Sequence, residues 1–187
     1  MGFIERVGFS SYEGFSLPSV IILRPNVDID ADLLQFPNVG FHYDKIDKIT
    51  PDYDDTYIYL WGVPVGTTES DIYGLQNLSA GIGSNVNVQV KGLVRREAQN
   101  PAGGHETKIQ LGIITGGIGF YTSFDVYSNN YTTIQVDYPN NPNTGNPWTS
   151  LEIDALLVRL YLSYINTALA DGGLISGRCT QIYAEVG

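Results

Sequence analysis

Two runs of aspartate and a scatter of single carboxylates are the residues here whose types and spacing could do chemistry. Asp28, Asp30 and Asp32 alternate along one stretch, and Asp52, Asp54 and Asp55 crowd another. Clustered carboxylates can bind Ca²⁺, a hard cation that takes oxygen ligands. Neither run has the loop register of an EF-hand, so solvated acidic turns are expected and no metal is. Acid–base work on a glycosidic bond needs two carboxyl groups held at a set separation across a cleft. Glu97, Glu106, Asp125, Asp137 and Glu152 are scattered and form no alternating acidic strand motif. Nucleophilic catalysis would rest on the single cysteine, Cys179, and the two histidines, His42 and His105, which no motif joins. Cys179 reads most simply as a small residue of a strand. Gly116-Gly117-Ile118-Gly119 has strands on both sides rather than the strand-to-helix context of a nucleotide fingerprint, and reads as a tight turn. The residues therefore predict a non-enzymatic protein without a cofactor.

The aromatic residues are more suggestive. Tyr121, Tyr127, Tyr131, Tyr138, Tyr161 and Tyr164 fall in one half of the chain, with Trp148 among them. An aromatic face can stack sugar rings or form a subunit interface, because tyrosine and tryptophan offer an apolar body and a polar handle. The same residues can also cap a core and hydrogen-bond water. Phe3, Phe9, Tyr12 and Phe15 are spaced among Gly and Ser near the start. Exposed, they would be costly on a monomer, so residues 1–17 read as an N-terminal arm packed on the body or docked on a neighbour.

The elements that must position these side chains are strands. Tyr, Val, Ile and Thr suit a pleated surface, and frequent Gly, Asn and Pro supply turns. Val86, Val88, Val90 and Val94 alternate with polar residues, as do Ile109, Leu111 and Ile113, and Val158, Leu160, Leu162 and Tyr164. Ser19–Leu23, Phe41–Ile46, Thr56–Trp61, Ile72–Leu78, Phe120–Tyr127 and Thr132–Tyr138 are further candidates. In the last, Arg178–Val186, Thr180, Ile182, Ala184 and Val186 share one face. Thr149 and Glu152 have capping-box spacing and predict one short helix near residues 150–157. About nine or ten short strands, with turn signals every 8–12 residues, predict an all-β chain. The expected architecture is an antiparallel β-sandwich, jelly-roll-like, over residues 18–187.

The totals narrow the function further. A net charge of −10 argues against a nucleic-acid partner, which needs concentrated Lys and Arg. No apolar run is long enough to span a bilayer as a helix, so no membrane partner is expected. The opening residues lack the charged-then-apolar pattern of a Sec signal, so export by lysis or within a particle is expected. The two glycosylation sequons, at Asn77 and Asn130, then read as chance matches.

A succession of turn-rich motifs carries a resemblance. Ile22-Leu23-Arg24-Pro25-Asn26 comes first, then His42 to Asp47, then Pro51 to Ile58. Asn141 to Gly145, Trp148-Thr149, Ile153 to Leu156 and Cys179 to Val186 complete the series. Over residues 20–186 this resembles a group of β-sandwich proteins encoded among the virion genes of tailed phages and prophages. The resemblance implies a structural component of the virion: a capsid decoration protein, a head or neck accessory, or a tail-associated module. It implies a homo-oligomer, with a trimer among the expected forms, that contacts major capsid or tail proteins and is assembled in the host cytoplasm. It supplies no catalytic residues. The alternative from the aromatic residues is a carbohydrate-binding module for host-surface adsorption, with Tyr121, Tyr127, Tyr131, Tyr138 and Trp148 exposed in one groove.

Overall fold

A computed structural model describes residues 20–78, 81–83, 85–98, 107–166 and 174–187. The arm expected over residues 1–17, with Phe3, Phe9, Tyr12 and Phe15, lies outside the described residues, as do His105 and Glu106. The described chain is an antiparallel β-sandwich. Its strands are β1 (Ile21–Leu23), β2 (Pro25–Ala31), β3 (Leu34–Phe36), β4 (Tyr57–Tyr59), β5 (Thr68–Leu75) and β6 (Val88–Ala98). They continue as β7 (Thr107–Thr115), β8 (Ile118–Val126), β9 (Thr132–Tyr138), β10 (Leu157–Ser163), β11 (Ile165–Asn166) and β12 (Leu174–Val186).

One sheet runs β3-β4-β12-β6-β9, with β1 and β11 also paired to β12; the other runs β2-β5-β10-β7-β8. The eight long-range strands are β4 to β10 and β12. The first, eighth, third and sixth of these lie in one sheet, and the second, seventh, fourth and fifth in the other. That is the winding of a jelly roll, two Greek keys laid face to face. The alternation read from the sequence points inward as expected. Val88, Val90 and Val94 of β6 meet Ile109, Leu111 and Ile113 of β7 and Val158, Leu160 and Leu162 of β10 in one buried core.

Three local expectations are corrected. Phe41–Ile46 is not a strand but a loop with a 3-10 turn at Tyr43–Lys45. The Asp28 carboxylate accepts from the consecutive amides of His42 and Tyr43 at 2.9 and 2.8 Å, which bends the backbone out of an extended course. The early strand β1 stops at Leu23, and Pro25 opens β2 at an edge of the other sheet, where its missing N–H is harmless. The helix is shorter than expected, Ser150–Asp154, although both halves of the Thr149/Glu152 capping box are present. In β12 the pairing register shifts between Cys179 and Gln181, which is a β-bulge. The bulge turns Cys179 inward before it and Ile182, Ala184 and Val186 inward after it, so the expected alternation breaks at Thr180.

Candidate functional site

The motifs of the resemblance meet one another, and each has a structural task. The loop before β4 is clamped onto the β12 bulge. Thr180, fully buried, places its hydroxyl 2.9 Å from the Tyr53 carbonyl, 2.8 Å from the Thr56 carbonyl and 3.3 Å from Asp52 Oδ1. The next two residues extend the clamp: the Gln181 side-chain amide donates to the Lys48 carbonyl, and Ile182 N–H donates to Ile46 O. Asp54 then faces two arginines. Arg178 Nη1 lies 2.7 Å away and Arg95 Nη2 3.1 Å, while Arg178 Nη2 reaches Glu97 at 2.6 Å. Burial alone would raise the Asp54 pKa. The Tyr131 hydroxyl and the two guanidinium groups outweigh it and hold the carboxyl below its usual range. At the other end, Asn141 is buried, donates to Glu152 Oε1 at 2.8 Å and accepts from Asn143 N–H, so it ties the long loop to the helix cap.

Most of the carboxylates have partners within the fold. Asp52 and Asp54 are held by Thr56, Thr180, Tyr131 and arginine, and Asp28 by the 42–43 amides. Glu97, Asp125, Asp137 and Glu152 each bind a local partner: arginine, Lys108, glutamine and the helix cap. Among the described residues no three of His, Cys, Asp and Glu are placed to hold a metal ion.

His42 has a partner that the sequence did not show. Its Nδ1 lies 2.7 Å from Asp71 Oδ2, an oxygen that also accepts from the Tyr73 hydroxyl at 2.7 Å, while Leu33 N–H binds the other oxygen. Asp71 is fully buried on the inner face of β5. The hydrogen bond to Asp71 raises the His42 pKa against the opposing effect of burial. Cys179 is buried, donates weakly to Gln181 O, and has its thiol pushed up to about 12 by burial, so it is a protonated core residue.

The surface that could bind something is split between two places. The first is the outer face of the five-stranded sheet, whose registers give rows of graded polarity. Val27, Gly74, Leu157, Ile114 and Gly119 form an apolar row. Asp30, Ile72, Arg159, Gly112 and Tyr121 form the next, then Ser70, Tyr161, Gln110 and Ser123, then Thr68 and Ser163, with the Lys108–Asp125 ion pair at the far end. Tyr121 folds back over Gly119, where an added Cβ would overlap its phenol, and over Gly112, where one would sit 2.8 Å from Cδ1. Its ring therefore lies along the sheet. Tyr161 meets it at 86° with centroids 5.2 Å apart, and Arg159 lies 4.3 Å from the Tyr161 centroid. Arg159 Nε and Nη2 both bind Ser70 Oγ, and Gln110 donates to Ser123 Oγ.

The second place is the corner around β3, the edge strand of the other sheet. Leu34, Phe36, Val39 and Phe41 are 42, 46, 67 and 60% exposed there. Phe36 stacks on Tyr57 and Phe41 on Tyr43, so both phenylalanine rings are fixed in place. The sequence reading missed this corner, since it took Phe41 as part of a strand and gave Leu34 and Phe36 no role. It also missed Arg159 and the glycines under Tyr121. The signal was present in Gly119, two residues before Tyr121 and so on the same strand face.

The structure separates the expected aromatic set. Trp148 and Tyr138 are 4 and 8% exposed, and the Trp148 indole donates to the Tyr138 carbonyl, so both belong to the core and not to a surface groove. The reason is local: Trp148 precedes the capped helix that closes one end of the sandwich. Tyr164 is buried against Trp61. Tyr131 is half-buried in the Asp54 cluster, Tyr127 is exposed at the end of β8, and Tyr121 stands with Tyr161 on the open face.

No protein-family model matches the chain, and no curated protein matches it. Among solved structures, the chain is similar to one described as "Family 16 Carbohydrate Binding Module-2", at 10% identity and a TM-score of 0.33, over 70% of this chain and 76% of that one. A likeness this slight leaves the question of a ligand to the surface chemistry of this chain.

Proposed function

We propose that this chain is a non-enzymatic structural subunit of a tailed-phage particle, in which it joins a second copy of itself and neighbouring capsid or tail proteins. The virion setting rests on the resemblance of its motifs. The observation that supports assembly is the β3 corner, where four large apolar side chains stand in water, two on an edge strand paired on one side only among the described residues and two in the loop that follows it. Exposed apolar clusters and open edges are costly on a monomer. The mechanism is burial: apolar area removed from water stabilises the contact by about 25 cal/mol per Å², offset by the cost of association. Phe36 and Phe41, already stacked, lose little rotamer freedom on docking and serve as anchors. The outer face of the seven-stranded sheet, with its Lys91–Glu185 and arginine ion pairs, stays solvated.

The test is light scattering across a concentration series for the wild type and for the Phe36→Asp/Phe41→Asp variant. A wild-type oligomer and a monomeric variant with an unchanged melting curve are expected. A wild type that stays monomeric throughout, or a variant that oligomerises like the wild type, overturns the corner as the self-contact.

A second reading, a saccharide-binding module for adsorption to a host surface, is supported by Tyr121 and Tyr161. They lie on strands β8 and β10 of the other sheet, whereas the β3 corner is on the opposite flank.

A further inference from the structure

The geometry points to a sugar-binding site at the Tyr121–Tyr161 corner, built to take an extended chain of uncharged hexopyranose units. This rests on the saccharide reading and is independent of the β3 corner. A pyranose ring has a face of C–H bonds and a rim of hydroxyls. It therefore needs a flat aromatic surface beside neutral donors and acceptors. Tyr121 supplies the flat surface. Gly112 and Gly119 remove the side chains that would lift its ring, so the phenol lies along the sheet with one face down and the other toward solvent.

Tyr161, nearly perpendicular to it, forms a wall, and Arg159 lies against that wall and extends it. The hydroxyl rim of a sugar would meet Gln110 and Ser123, which lie on the same face in adjoining register positions, and Ser70, held by Arg159. The row Val27, Leu157, Ile114 on the other side of Tyr121 is apolar and offers a dry floor for a further ring.

Charge decides the class of sugar. The whole chain carries −10, yet on this face Asp125 lies one row beyond Ser123 and is paired with Lys108, and Asp30, in the Tyr121 row, stands on the edge strand β2 at the opposite side of the sheet from β8. The one charged group inside the patch, Arg159, is turned onto Ser70 and the Tyr161 ring. The carboxylates of this face thus stand at its margins and the patch's own cation is internally engaged, which complements an uncharged polymer. An extended chain fits a sheet face that presents its side chains in parallel rows.

Gly119→Ala makes the test specific. The atoms its new Cβ would meet belong to the far end of the Tyr121 side chain, so the ring must move while the backbone stays. The experiment is affinity electrophoresis of the full chain through gels containing hydroxyethylcellulose, galactomannan or polygalacturonate, with melting curves for every variant. Retardation by a neutral polymer is expected. Tyr121→Ala and Gly119→Ala should weaken it about tenfold, a loss of about 1.4 kcal/mol, while Phe36→Asp leaves it within about twofold. Binding by the wild type that survives both Tyr121→Ala and Gly119→Ala overturns this site while leaving the saccharide reading standing. Retardation by polygalacturonate alone overturns the uncharged class. No retardation in any gel overturns the site and the reading together.

Discussion

His42 and Asp71 set a pH dependence at the scale of single residues. Asp71 lies under the sheet with three donors around it, and His42 completes the set. The charges and donors facing the imidazole are Asp71 and Asp28, which favour its protonated form, and Lys45, which opposes it. A raised folded-state pKa means that the stability from this pair is fully present below the unfolded value near 6.5. It is lost as pH rises through the folded pKa. Urea denaturation of the wild type should therefore show stability falling as pH increases above 6.5, and the slope should vanish in His42→Gln. Removing the ring altogether, His42→Ala, leaves a buried carboxylate short of a partner and should cost about 3 kcal/mol. Thr180 makes a second residue-scale prediction. Valine has nearly the same shape but no hydroxyl, so Thr180→Val leaves the Tyr53 and Thr56 carbonyls short of a donor and should cost about 1–3 kcal/mol by urea melt.

Among elements, the β7–β8 hairpin is the most constrained. A Cβ at Gly112 would collide with the Phe120 carbonyl across the hairpin as well as with Tyr121. Backbone cannot yield as a side-chain tip does. Gly112→Ala should therefore destabilise by about 1–3 kcal/mol, and Gly119→Ala by much less, a contrast that thermal melts resolve. The strands themselves were largely legible. Alternation in β6, β7, β9 and β10 follows directly from a sheet with one face in the core, and so does the capping box from its four-residue spacing. What was not legible were the positions where a distant group overrides local pattern. Phe41–Ile46 alternates like a strand, but Asp28 captures two of its amides and bends it. The β12 bulge is invisible in sequence because Thr180 is drawn inward by carbonyls of a loop more than a hundred residues earlier.

Over the whole molecule, the two outer faces have different chemistry although one sequence composition made both. The seven-stranded sheet carries ion pairs outward, while the β10 and β7 strands of the five-stranded sheet contain no carboxylate. The apolar β3 corner lies on the β2/β3 flank of the sandwich, and the Tyr121–Tyr161 pair lies toward the β8/β9 flank. A subunit arranged in this way can join neighbours on one side and present a second surface on the other. If it does, the Phe36→Asp/Phe41→Asp variant should be monomeric by light scattering yet keep its sugar retardation unchanged. Loss of both together would show that the two surfaces are coupled.

The sequence by itself determined the class of fold, the strand periods, the capped helix and the turn-rich motifs, because each depends on residues close together along the chain. It placed Tyr121 in a wider set of aromatic candidates without distinguishing it from them. Tertiary structure alone decided which aromatics are surface and which are core. Trp148 and Tyr138 look the same as Tyr121 and Tyr161 in a list of aromatic residues, yet the first two close the end of the sandwich and the others lie on its face. It also decided what the aspartates do, since their partners at Thr180, Arg178 and His42 come from distant parts of the chain. Burial and pairing across a jelly roll depend on the winding of the whole chain, and no local pattern contains that winding.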